Sequence, residues 1–191
     1  MDIILALCIG VTLSAAAGFR IFIPPLMLSG MAIFGDLSLG EDFVWLGTYP
    51  AFFAFGIATI VEILAYYIPV VDNLLDGIEI PLAIAVGTLL TSASLGQLTE
   101  LEPLLQWTLA ILAGGSTAGT IETFTAVTRG ASTTATGGIA NPVVSTVEAL
   151  SAGVLSLLAL FVPFLAIAIV VGVLGVALQR LFRVFVRKSR S

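Results

Sequence analysis

Five ionisable side chains lie within or beside long apolar runs: Arg20, Glu62, Glu122, Arg129 and Glu148. A charge held at mid-bilayer costs about 2.5–3.5 kcal/mol on insertion scales, so each is expected to turn inward and pair. Glu122 and Arg129 are seven residues apart, which places them two turns apart on one helical face. Asn141, Ser145 and Glu148 share a second face, and Thr59, Glu62 and Tyr66 a third. Three carboxylates against two guanidiniums leave one negative charge over. A proton or a cation would balance it, so Glu62, Glu122 and Glu148 are the candidate coupling groups. Glu62 has no Arg or Lys near it in sequence and is the expected odd group. The plainer alternative is a set of structural ion pairs, with some of the five at the membrane interface.

A hydroxyl-rich stretch, Thr128 to Gly138, leads into Asn141-Pro142, a helix cap followed by a proline suited to the first helical position. Backbone polar groups need partners at bilayer depth. The stretch is therefore either a cytoplasmic connection or a re-entrant segment lining a cavity. Amides and dipole at a helix N-terminus favour an anion. Arg129, Ser132, Thr133, Thr136, Asn141 and Ser145 are the candidate binding residues there, with Arg20 completing the pocket from the first half of the chain. A carboxylate, a phosphate or an inorganic anion would fit; an ordinary polar loop with Ser/Thr caps is the alternative. The phosphate-loop pattern of a nucleotide-binding protein is absent. Serine or threonine nucleophiles need a general base, and the chain has no His and no Lys in its apolar part. Two carboxylates could act as acid and base, but their spacing does not select that. No catalytic residue, metal or cofactor is expected, and the lone Cys8 reads as a packed thiol.

The elements that must hold these groups are membrane helices. The chain of 191 residues is 59% hydrophobic and 10% charged, where a soluble domain carries about 25% charged residues. The expected architecture is all-α: one membrane domain, 1–191, of six transmembrane helices, some of them broken. The first runs over residues 3–34 and breaks at Arg20 and Pro24-Pro25. The next covers 45–69. Residues 70–80 read as an acidic surface linker, and Pro81 as the start of a third span to 98. A fourth runs from Pro103 to Thr128, a fifth over 142–161, and a sixth from Pro163 to about Phe185. Five of the seven basic residues, Arg180, Arg183, Arg187, Lys188 and Arg190, crowd the end of the chain. The positive-inside rule then puts both termini in the cytoplasm and the loops 35–44 and 98–102 outside. A bacterial plasma membrane suits this.

The halves echo each other. Ile63 to Pro69 resembles Leu157 to Pro163, Leu82 to Gly87 resembles Ile167 to Gly172, and Ala17-Gly18 matches Ala118-Gly119. Three spans per half, divided as 1–98 and 99–191, would insert in opposite orientations. Transporters use such inverted repeats, with the site on broken helices at the repeat interface. Chance similarity among apolar segments is the competing account.

The pieces Ala16-Ala-Gly-Phe-Arg20 with Ile23-Pro-Pro25, Tyr67 to Asn73, Arg129 to Thr133, and Thr136 to Ser145 with Glu148 also form a recognisable set. Together they resemble the family known as domain of unknown function 4126, small integral membrane proteins of bacteria, cyanobacteria and plants. The resemblance implies recurring polar positions at Arg20, Asp72, Arg129, Asn141 and Glu148, and no activity. The leading expectation is a transporter or channel-like protein for a small solute or ion, an anionic one included. A scaffold or assembly protein is the rival, and an intramembrane enzyme acting on lipid comes third. Membrane lipids are expected partners and nucleic acid is not; small-residue helix faces allow a homo-oligomer.

Overall fold

The computed structural model describes the backbone of residues 2–35, 37–66, 69–98 and 101–188, and side chains over the same ranges except 69–77 and 184–188. Among the described residues the chain is helical throughout, without strands. Helix α1 (Ile3–Ala17) is apolar on every side, the signature of a helix buried all round, and it is the centre of the bundle, packing on α2 (Ile23–Phe34) and the helices that follow. The chain breaks at residues 18–22, and Pro24-Pro25 fall in the first turn of α2, where a missing N–H costs nothing. A 3₁₀ helix, Glu41–Gly47, leads to α3 (Tyr49–Ala65), whose first turn is capped when Ala51 N donates to the Thr48 hydroxyl at 3.4 Å.

Helix α4 (Pro69–Leu95) differs from the sequence expectation. Residues 70–80 are not a linker preceding a helix that starts at Pro81; they are the first turns of one helix that carries Pro81 inside it. A proline removes one helical hydrogen bond, a loss this long helix tolerates. Helix α5 (Pro103–Leu109) passes through a π-helical turn, Ala110–Gly115, into α6 (Ser116–Thr136) without a break. The hydroxyl-rich stretch is thus helical as far as Thr136, and the connection that follows is only residues 137–140. Gly137 ends α6 with φ 65°, a left-handed conformation that favours glycine. Helix α7 (Asn141–Phe161) and helix α8 (Pro163–Lys188) complete the chain.

Small residues bring the central helices together. An added Cβ on Gly18 would stand 2.6 Å from the Ala118 carbonyl oxygen and 2.7 Å from Ile121 Cβ, so the α1 end and α6 meet backbone to backbone. The Ser14 hydroxyl bonds the Gly87 carbonyl at 2.6 Å and the Thr91 hydroxyl at 2.8 Å, tying α1 to α4. The outside is apolar: Phe53, Ile57, Val61 and Leu64 on α3, Val147 and Val154 on α7, and Phe164, Val171 and Leu178 on α8 all stand exposed. That surface, far beyond the patches soluble monomers show, marks a membrane protein. Among the described residues three helices can cross a membrane by length and composition, Ile78–Leu95, Asn141–Phe161 and Pro163–Arg183, with the bent pair Glu41–Gly47 and Tyr49–Ala65 a fourth candidate.

Candidate functional site: a buried ionic centre

The break between α1 and α2 puts Arg20 inside the bundle, 1% exposed. Its Nη2 donates to Ser145 Oγ at 2.6 Å and to Glu148 Oε2 at 2.8 Å, both on α7. Asn141, Ser145 and Glu148 are all buried, as residues on one helical face should be. From α6, Arg129 reaches the same carboxylate: its Nη1 donates to Glu148 Oε2 at 3.3 Å. Its Nη2 donates to Glu122 Oε1 at 2.9 Å and to Glu79 Oε2, on α4, at 3.1 Å. One oxygen of Glu148 therefore serves two guanidiniums.

Helix α3 supplies the remaining pieces. The Tyr66 ring lies beneath both cations, its centroid 3.7 Å from Arg20 Cζ and 4.6 Å from Arg129 Cζ. The ring's negative π face attracts each of them. The Tyr66 hydroxyl lies close enough to Glu79 to interact with it. Glu62, one turn earlier, forms no ion pair among the described residues. Its oxygens accept from the backbone amides of Ile21 at 2.7 Å and Phe22 at 3.2 Å, where the α1–α2 break leaves donors without helical partners. At the start of α2 the chain's own carboxylate thus takes the place that an anion would have at a helix N-terminus.

The centre thus gathers six of the expected site residues, Arg20, Glu62, Glu122, Arg129, Ser145 and Glu148, and adds Glu79 and Tyr66. Glu79 is 4% exposed and lies in the stretch read as a surface linker. Its signal was local: Ile78-Glu-Ile-Pro-Leu82 sets one acid among apolar neighbours. Tyr66 shares the Glu62 face but carries no charge to draw the eye. The other expected residues lie at the α6–α7 turn. The Asn141 side-chain amide donates to the Thr133 hydroxyl at 2.8 Å, joining the two helix ends. The exposed Thr136 accepts from Ala140 N at 3.2 Å, and the hydroxyl of the half-buried Ser132 meets no partner among the described residues. No hydrogen bond described for Ser132, Thr133 or Thr136 reaches a guanidinium. Asp72 lies outside the residues whose side chains are described.

Charge counting changes once Glu79 is included. Four carboxyls, Glu62, Glu79, Glu122 and Glu148, surround two guanidiniums, and all six groups are buried. Every other basic residue of the chain lies at Arg180 or beyond. No other Lys or Arg within the first 179 residues matches the two extra carboxyls, so with all four ionised the centre is negative.

Fold and centre together define a class: a helical membrane protein with a charged interior built from five segments of chain. The chain belongs to the family described as domain of unknown function (DUF4126), whose family model matches residues 7–183 and so covers every residue of the centre. No curated protein and no solved structure matches the chain.

Proposed function

We propose that the protein carries a small solute or ion across the membrane through this centre, with Glu62, Glu79, Glu122 and Glu148 as the groups that exchange protons or a cation. The observation behind the proposal is the surplus of buried carboxyls over guanidiniums. Pairs that only tie helices together would be matched in number, because an uncompensated buried charge costs several kcal/mol or more. A surplus calls for a mobile positive charge. An anionic solute reaches Arg20 and Arg129 only by displacing Glu148, Glu79 or Glu122, so binding of a solute and release of a carboxylate are linked in this scheme. A scaffold reading gives no role to the surplus.

In the full scheme six spans form two inverted halves. The contact of Gly18 with Ala118 supports it, because the matched pairs Ala17-Gly18 and Ala118-Gly119 then lie against each other, as segments at a two-fold axis do. Both termini lie in the cytoplasm and the membrane is a bacterial plasma membrane. The protein acts without catalysis, cofactor or nucleic acid, among membrane lipids. Open space beside Gly172 and Gly175 on α8 leaves room for a second copy of the chain.

The test is uptake into vesicles reconstituted with the purified protein, carrying a pH-sensitive dye inside and offered a panel of small anions, cations and neutral solutes. Wild type should show a solute-dependent proton movement that falls by roughly tenfold or more in Arg129→Ala and Glu148→Gln, as expected when one charge of a coupled site is removed. Equal fluxes in all three proteins, with the variants folded, would end the transport reading.

A further inference from the structure

A groove of about 350 Å³ opens on the apolar exterior between α3 and α4. Its walls are Ile57, Val61, Ile78 and Leu82, and it ends on Glu62 and Glu79. The walls stand in the lipid-facing surface, Ile57 64% and Ile78 63% exposed, whereas the two carboxyls are 7% and 4% exposed. A path lined by hydrocarbon therefore leads from the bilayer to two acidic groups at the edge of the ionic centre. A second groove, between α6 and α7, is lined by Phe124, Val143 and Val147 and ends on Glu148. The two differ in charge. Glu148 already receives both guanidiniums, whereas Glu62 is held only by backbone amides among the described residues and Glu79 shares Arg129 with two other carboxylates. Only the α3–α4 groove ends where negative charge is in surplus.

We infer that the α3–α4 groove is a binding site, entered from the lipid, for a lipophilic organic cation: an apolar body bearing one positive charge. The apolar body replaces lipid against Ile57, Val61 and Ile78. The charge settles beside Glu62 and Glu79, whose oxygens keep lone pairs beyond those already used. In a low-dielectric setting that attraction is strong, because water is not there to screen it. A neutral lipid tail would fill the same walls but leave the surplus unbalanced, and an anion would add to it. The site deepens the transport reading by naming a class of solute, yet it stands on the groove and the charge count, so binding and transport can fail separately.

The experiment measures equilibrium binding of radiolabelled tetraphenylphosphonium to the full-length protein in phosphatidylcholine nanodiscs, with empty discs subtracted. Tetraphenylborate, of the same shape and opposite charge, is the comparison. Saturable binding of the phosphonium and none of the borate is expected. Ala58→Phe, which fills the groove and leaves every ionisable residue in place, and Glu79→Gln, which removes one charge, should each weaken binding roughly tenfold or more. Should Glu79→Gln fail to fold, Ala58→Phe alone decides. Equal binding of both probes, as expected of a groove that merely holds a lipid chain, overturns the site, and so does unchanged binding in Ala58→Phe. Phosphonium binding without any uptake into vesicles keeps the site and removes the transport reading. Uptake of some other solute with no phosphonium binding does the reverse.

Discussion

Arg129 acts by shape as much as by charge. Its Nη2 serves Glu79 and Glu122 while its Nη1 serves Glu148, so three carboxylates from three helices meet on one planar group. A lysine ammonium is a point charge and cannot hold that fork. Breaking a buried pair by removing one partner costs about 3–5 kcal/mol. Arg129→Ala should therefore lower the unfolding free energy by about that amount, read as loss of helical circular dichroism during titration with dodecyl sulfate in mixed micelles. Arg129→Lys should recover only the smaller part of the loss. A lysine variant as stable as wild type would show that charge alone holds the centre. The Glu122–Arg129 contact was legible in the sequence because both lie on one helix, where a seven-residue spacing fixes the face. The contacts of Arg129 with Glu79 and of Arg20 with Glu148 were not, since they span 50 and 128 residues of chain and depend on how the helices pack.

At the scale of elements, the fold rests on close approach between helices with little side chain at the contact. Lipid offers no hydrophobic drive for one apolar helix to meet another, so small residues that admit backbone contact take its place. Gly18→Val should overpack the α1–α6 contact, where even a Cβ would lie 2.6 Å from the Ala118 carbonyl oxygen. The expected cost is about 1–3 kcal/mol in the same titration. Gly172→Ala on α8 has nothing within 4 Å and should be neutral or slightly stabilising. Equal effects of the two would mean that the contact carries no weight. Helices flanked by clear signals were legible: Pro24-Pro25, Pro103, Pro142 and Pro163 all stand in a first helical turn. Pro81 was misread by the same rule, because a proline inside a helix and one at its start leave the same mark in sequence. The acids of 70–80 completed the error by suggesting water, when Glu79 faces the interior.

At the scale of the whole molecule, the position of the centre along the bundle has consequences. Arg129 lies seven residues before the end of α6 at Thr136, and Glu148 seven after the start of α7 at Asn141. At 1.5 Å per residue both are about 10 Å from the turn between those helices. The opposite end of the bundle is marked by the pocket where Ser38, Gly40 and Phe43 meet Gly96, Leu101 and Pro103. The residues 37–47, 95–98 and 101–103 thus share one end, and α5 to α6 runs from there to the 137–140 turn. The charge rule predicts a cytoplasmic 137–140 end, since every basic residue outside the centre lies at Arg180 or beyond, toward the end of α8. Placed so, the centre sits nearer the cytoplasmic face, and a solute from outside has the longer path. Two exposed positions test the orientation, Ser38 at one end and Thr134 at the other. In a Cys8→Ala background, a membrane-impermeant maleimide applied to intact cells should label Ser38→Cys, and should label Thr134→Cys only after lysis. In the six-span scheme three passages of the chain separate these positions, by α3, by α4 and by α5 with α6, and an odd number of crossings puts them on opposite sides. Labelling of both from outside would remove one crossing from the scheme and with it the inverted halves. The reverse pattern would keep the crossings, turn the protein over, and put the shorter path to Arg20 and Glu148 on the external face.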